Sequence, residues 1–278
     1  MKLLAPILLL AAIPATFGQI GGRAPQTFDI VGKDGDLALR NLATQRYARN
    51  ADGTVTFTVG GAPAKGEWKA RGLTMEANRM TVITQDGASG PTSVVRATIE
   101  GGRPWFEVLQ PSAANAQTNQ TIRLESPKVD YTATTETIVL AAPVQAVGRD
   151  AAAGRLWNLN GQNGKAVLYP REPKRADGAV VRSFDLAGPV TFSLESTTQR
   201  AGAAEKTTYK GSCNRLVFDD ATKQIRLTGK VLLETDRFTL SGGKGAESAL
   251  VQLDDQLKVV SVELSGSPGE SRMQGGGR

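Results

Sequence analysis

Val129-Asp130-Tyr131 … Ile138-Val139-Leu140-Ala141-Ala142-Pro143-Val144 lies without a gap on Leu216-Val217-Phe218 … Ile225-Arg226-Leu227-Thr228-Gly229-Lys230-Val231, about 87 residues further along the chain. In the second copy Ile225, Leu227, Gly229 and Val231 fall on one side of an extended chain, and Arg226, Thr228 and Lys230 on the other. Ile138, Leu140, Ala142 and Val144 repeat the pattern in the first. Asp219-Asp220-Ala221-Thr222-Lys223 and, later, Asp254-Asp255 read as hairpin turns between such runs. A period of two with turn residues between the runs predicts short antiparallel strands with one apolar face, which a second sheet must cover.

The correspondence extends beyond this pair. Trp157-Asn158-Leu159-Asn160-Gly161 matches Phe238-Thr239-Leu240-Ser241-Gly242, and a weaker earlier copy starts near Trp68-Lys69-Ala70-Arg71-Gly72. Matches in a fixed order predict about three stacked units sharing one core, at about 28–110, 121–195 and 207–266 within a single repeat region 28–266. Pro111 to Gln120 and Ser196 to Lys206 read as polar connectors, and Asn50-Ala51-Asp52-Gly53 as a tight turn. The Gly-rich tail 267–278 reads as disordered.

Bulk properties agree. The 278 residues are 40% apolar and only 5% aromatic, with no long helical periodicity. Lys2 followed by the apolar stretch Leu3 to Phe17 reads as a secretory leader over 1–18, with 19–27 a flexible lead-in. This predicts an exported protein after cleavage; an uncleaved N-terminal anchor is the alternative. Without Lys2 the chain has 32 Lys+Arg against 27 Asp+Glu, a net charge of +5 that favours acidic partners such as anionic lipid head groups.

The run Arg215 to Val231, followed by Phe238 to Gly242, resembles the repeat of the OstA-like family of lipopolysaccharide-transport proteins of the LptA and LptC type. The resemblance covers the second and third units and is thin before Trp68. It implies an all-β fold, an elongated and partly open antiparallel β-jellyroll (a β-taco). The greasy interior of such a fold accepts acyl chains, and its open ends stack on partner jellyrolls by sheet extension. By the same resemblance the protein is a non-enzymatic lipid-binding bridge for outer-membrane biogenesis, carrying lipopolysaccharide or a similar amphiphile. The alternative is a structural or surface interaction protein with the same stacked fold and no lipid.

Physical chemistry fits lipid carriage. At about 0.8 kcal/mol per buried methylene, about ten of them contribute roughly 8 kcal/mol before ordering costs. The inward positions expected to line such a groove are Val129, Tyr131, Ile138, Leu140 and Val144, with Leu216, Phe218, Ile225, Leu227 and Val231. A dry core is the competing reading for each. Lys69, Arg71, Arg171, Lys174 and Arg175 are the candidates for meeting lipid phosphates, against a solvated surface.

Other chemistries find little support. The chain has no histidine, which removes Ser-His-Asp and Cys-His systems and most zinc sites. Ser241-Gly242-Gly243-Lys244 fits a Ser-x-x-Lys pattern, but in a strand-and-turn repeat where that chemistry needs a helix start. Basic residues are rarely interleaved with aromatics, so no nucleic-acid partner is expected. No catalytic residue, metal or cofactor is expected, and no phosphate-cradling loop supplies energy for movement. Cys213, the only cysteine, stands where the preceding unit has Ser126, and reads as structural.

Overall fold

The computed structural model describes residues 26–32, 36–85, 93–112, 114–115, 117–170, 180–200, 203–235, 239–241 and 246–266. The leader, the basic stretch 171–175, Gly242-Gly243-Lys244 and the tail 267–278 lie outside them. Among the described residues twenty strands, each antiparallel to its neighbours, form one sheet. The first ten are β1 (Gln26–Ile30), β2 (Leu37–Leu42), β3 (Thr44–Arg49), β4 (Thr54–Trp68), β5 (Leu73–Gln85), β6 (Ser93–Glu100), β7 (Trp105–Pro111), β8 (Asn119–Glu125), β9 (Lys128–Thr132) and β10 (Thr137–Leu140). The remainder are β11 (Val144–Asp150), β12 (Arg155–Gly161), β13 (Asn163–Leu168), β14 (Val181–Arg200), β15 (Ala203–Asp219), β16 (Gln224–Thr228), β17 (Leu232–Thr235), β18 (Thr239–Ser241), β19 (Ala246–Leu253) and β20 (Val259–Gly266).

Hydrogen bonding connects the strands in two rows. One row runs β1-β2-β4-β5-β7-β8-β11-β12-β14-β15-β17-β18. The other runs β3-β4-β5-β6-β9-β10-β13-β14-β15-β16-β19-β20. The long strands β4, β5, β14 and β15 belong to both. In β14, Val181 to Ala187 pair with β13, whereas Thr191 to Ser196 pair with β12. The register shifts between Gly60 and Ala64 on β4, and between Ala187 and Val190 on β14, where each strand passes from one row to the other. A bulge bends a strand and frees it to change sheets. Gly188, at φ 91, takes a backbone conformation that a side chain would resist. Because β5 and β14 sit in both rows, ten strands close a ring: β5, β6, β9, β10, β13, β14, β12, β11, β8 and β7.

Hairpin chemistry recurs. Trp68 pairs with Leu73, Thr132 with Thr137, Asp150 with Arg155 and Asp219 with Gln224, so each of these hairpins has a four-residue loop. The last loop residue is left-handed in every case: Gly72 (φ 61), Glu136 (φ 49), Gly154 (φ 61) and Lys223 (φ 54). Its carbonyl then accepts the backbone N–H of Leu109, Leu168, Thr197 or Leu253, at 2.8–2.9 Å, which fastens the loop to the next strand of its row. The expected turns at Asn50 to Gly53 and at Asp254 are also present, with Asn50 N–H bonded to the Thr54 carbonyl and Asp254 N–H to the Lys258 carbonyl.

The 87-residue match is seen in the pairing. Val129 opposes Leu140 and Tyr131 opposes Ile138; 87 residues on, Leu216 opposes Leu227 and Phe218 opposes Ile225. Two expectations are corrected. Ser196 to Lys206 is no loose connector over its described residues, because β14 continues to Arg200 and β15 begins at Ala203, and the two strands pair from Ser196–Thr207 to Arg200–Ala203. Strand β1 begins at Gln26, inside the expected lead-in. Among the described residues no helix is long and apolar enough to cross a membrane.

Candidate functional site

Inward residues of the two rows form one apolar core that takes in Leu39, Trp68, Val129, Tyr131, Ile138, Leu140 and Val144. Toward the C-terminal strands the rows stand apart around a partly enclosed cavity of about 580 Å³. Its walls are apolar: Phe106, Leu124, Trp157, Phe184, Phe192, Leu227 and Leu233 are among them. Trp157 lies across from Gly148 in the β11–β12 pair, and a side chain at Gly148 would collide with its indole. The glycine lets the ring lie flat on the sheet and form part of the wall.

A polar belt marks one end of this hollow. Side chains alternate along a strand, so Phe106, Val108 and Gln110 share one face of β7, Gln120, Ile122 and Leu124 one face of β8, and Arg155, Trp157 and Leu159 one face of β12. All of these line the cavity. Gln110 lies opposite Gln120, and Asp150 opposite Arg155. Four polar residues therefore stand side by side across β7, β8, β11 and β12, each buried. Asp220, also buried, faces the cavity from the other row.

Among the belt residues, Arg155 alone has a buried side-chain polar atom with no partner among the described residues. Gln110 Oε1 accepts the backbone N–H groups of Val180 and Val181, at 3.1 and 3.2 Å, and so ties the rows together. Gln120 Nε2 donates to the Pro111 carbonyl. The Ser112 hydroxyl donates to the Asp150 carboxylate, 2.8 Å from both oxygens, and the Ala153 N–H adds a bond of 3.0 Å. Asp220 accepts from Tyr169 Oη–H at 2.9 Å and from Lys223 Nζ at 2.6 Å. Arg155 is 9% exposed; its Nη1 donates to the Gln256 carbonyl in the β19–β20 turn, while its Nη2 is buried with no partner among the described residues. Burial pulls the Arg155 pKa below the usual arginine value, and the charges of Asp150 and Asp254 act in the opposite direction.

The ten groove candidates all lie inside the fold, but they part company there. Leu216, Phe218, Ile225 and Leu227 line the cavity. Val129, Tyr131, Ile138, Leu140, Val144 and Val231 are buried in the packed core and are not part of its wall. Among the head-group candidates, Lys69 is exposed, 4.0 Å from Glu67. Arg71 is corrected. Its guanidinium grips Glu136 with two bonds of 2.9 and 2.8 Å, stacks 5.3 Å from the Trp68 ring, and is 8% exposed in its side chain. It holds two hairpin loops together and is not presented to a ligand. Arg171, Lys174 and Arg175 lie outside the described residues.

The sequence reading passed over Gln110, Gln120, Asp150, Arg155 and Asp220. For Gln110, Gln120 and Arg155 a signal was present: each stands two residues from an apolar residue of the inward set, at the end of a strand. A polar side chain at inward parity is the mark of a polar rim on an apolar wall. No known protein-family model matches this chain, and no curated protein matches it.

Proposed function

We propose that the protein is an exported lipid-binding bridge that carries lipopolysaccharide or a similar amphiphile across the periplasm to the outer membrane. In this reading the sheet is an elongated β-jellyroll of about three repeats, open enough to admit acyl chains. The observation that carries it is the hollow of about 580 Å³, which falls within the size range of small-molecule sites, about 300–1,000 Å³, and is walled by aliphatic and aromatic side chains. At roughly 30 Å³ for a group the size of a water molecule or a methylene, it has room for about twenty of them. One long acyl chain or two short ones fit that space.

The repeat reading is supported by the shared register of the β9–β10 and β15–β16 hairpins and by the four matching loops. Bridging is supported by the ends of the two rows. Among the described residues β1, β3, β18 and β20 each pair on one side only, so each end of the sheet offers two strands to a partner jellyroll. On β20, Val260 is 65% exposed.

A second reading, a structural or surface interaction protein without lipid, is favoured by the packed core around Tyr131, Ile138 and Leu140. Photo-crosslinking in diderm cells separates the two. A photoreactive side chain at Leu227, on the cavity wall, is expected to give a lipid adduct of lipopolysaccharide size, and one at the exposed Arg226 none. Folded, exported protein with no adduct at either position overturns the transport reading in favour of the dry stack.

A further inference from the structure

Arg155 is the one residue of the belt that buries a side-chain donor with no partner among the described residues. Leaving a buried N–H donor without an acceptor costs about 1–3 kcal/mol, and more for a charged group. A fold tolerates this chiefly where something else supplies the acceptor. Solvent-exposed arginines meet that need with water; Arg155 is nine-tenths buried on the wall of an apolar cavity. Asp150, its cross-strand neighbour, does not meet it, since the Ser112 hydroxyl and the Ala153 N–H hold that carboxylate and no ion pair joins it to Arg155 among the described residues. The Gln256 carbonyl takes up Nη1, and Nη2 has no partner among the described residues. Below it on the same face of β12 follow Trp157 and Leu159, both part of the apolar wall.

We infer that Arg155 anchors the anionic head of an acyl amphiphile, a carboxylate or phosphate monoester oxygen accepting from Nη2 while the acyl chain lies along Trp157 and Leu159 in the hollow. The inference rests on the lipid-binding reading above and narrows it to amphiphiles with a negative head, of which the hollow takes one long or two short chains. A guanidinium is suited to this task because it stays charged when desolvated and bonds oxyanions through paired N–H groups.

The test uses the mature protein and three ligands of one chain length: palmitate, hexadecyl phosphate and hexadecanol. Each displaces the neutral dye N-phenyl-1-naphthylamine, whose emission reports an apolar site. Wild type is expected to bind one or both anions about tenfold or more tightly than the alcohol, the range of a hydrogen bond to a charged group. The stronger of palmitate and hexadecyl phosphate identifies the head. Arg155→Met is expected to bring the three ligands within about twofold of one another, and Arg155→Lys, which keeps the charge but loses the fork, to fall between. Near-UV circular dichroism reports whether each variant is folded, and the wild-type comparison needs no variant. Equal affinity for alcohol and anions in wild type, or a preference that survives Arg155→Met, overturns the anchor and leaves the lipid reading standing. If neither the dye nor any of the three ligands binds wild type, both fall.

Discussion

Ser126 and Cys213 hold the same position in two hairpins 87 residues apart, and the side chain of each reaches the backbone of the residues two and fifteen positions further on. The Ser126 hydroxyl donates to the carbonyls of Lys128 and Ala141, at 2.7 and 2.6 Å. The Cys213 thiol contacts the backbone of Arg215 and Thr228, which are the corresponding residues 87 positions on. Both side chains are buried. Cys213→Ser is therefore expected to cost no more than about 1 kcal/mol, because serine already performs this role in the other hairpin. Cys213→Val keeps the volume and loses the contact, and is expected to cost about 1–3 kcal/mol. Urea unfolding measures both; equal losses would mean that only volume matters there.

Burial also pushes the Cys213 thiol from 9.0 up to about 11, against the opposing effect of its Arg215 and Thr228 backbone contacts. Only the thiolate reacts, so native protein at pH 8 is expected to alkylate slowly with iodoacetamide and quickly once unfolded. The native rate should climb about tenfold per pH unit until near pH 11. The linkage has a definite sign. A thiol held neutral by the fold contributes its full stability below the unfolded value of 9.0, and that contribution is lost as pH rises from there through about 11. Rapid labelling at pH 8 without denaturant would show that the β15 strand opens locally.

Arg71 and Glu136 belong to loops of two different hairpins, and Tyr131 Oη–H adds a third bond to the same carboxylate at 2.9 Å. Removing one partner leaves a buried charge. Arg71→Met or Glu136→Leu is expected to destabilise by about 3–5 kcal/mol. Arg71→Met combined with Glu136→Leu should recover part of that loss, since neither charge is then stranded. A chemical-denaturation double-mutant cycle checks this, and additive losses would remove the pair from the account of stability.

Gly148→Ala forces the Trp157 indole off the sheet. Overpacking of this kind costs about 1–3 kcal/mol, and the displaced ring borders the cavity. Binding of the neutral naphthylamine dye is expected to weaken along with thermal stability. A variant that loses stability but binds the dye unchanged would mean that Trp157 moves outward instead.

Much of the architecture was legible in the sequence, and particular residues show where legibility ended. The alternation through Ile225, Leu227 and Val231 fixed which side chains face inward, because period two has only one structural meaning in an extended chain. It could not say which inward residues touch each other and which face a void. Ile138 and Ile225 are identical in type and register, yet one is core and the other cavity wall, a difference that the pattern of either hairpin does not carry. The four loops share a left-handed residue written as Gly, Glu, Gly and Lys, a likeness of backbone that letters do not carry. Arg71 sat next to a turn with a positive charge, as a head-group ligand would; its partner lay 65 residues away. The stretch Ser196 to Lys206 read as a connector because it is polar on both faces, and only its pairing along β14 and β15 makes it strand.

The four strands shared by the two rows have a mechanical meaning. Where two sheets touch only through side chains, a gap between them tends to close, because unfilled space forfeits dispersion contacts on both walls. Here continuous backbone crosses between the rows at β14 and β15, both of which line the cavity, so the chain itself sets the spacing at those points. The bore of the molecule is thus a matter of chain geometry, as the bore of a pipe is a matter of its wall. A guest then spends little of its binding free energy on prying the interior open.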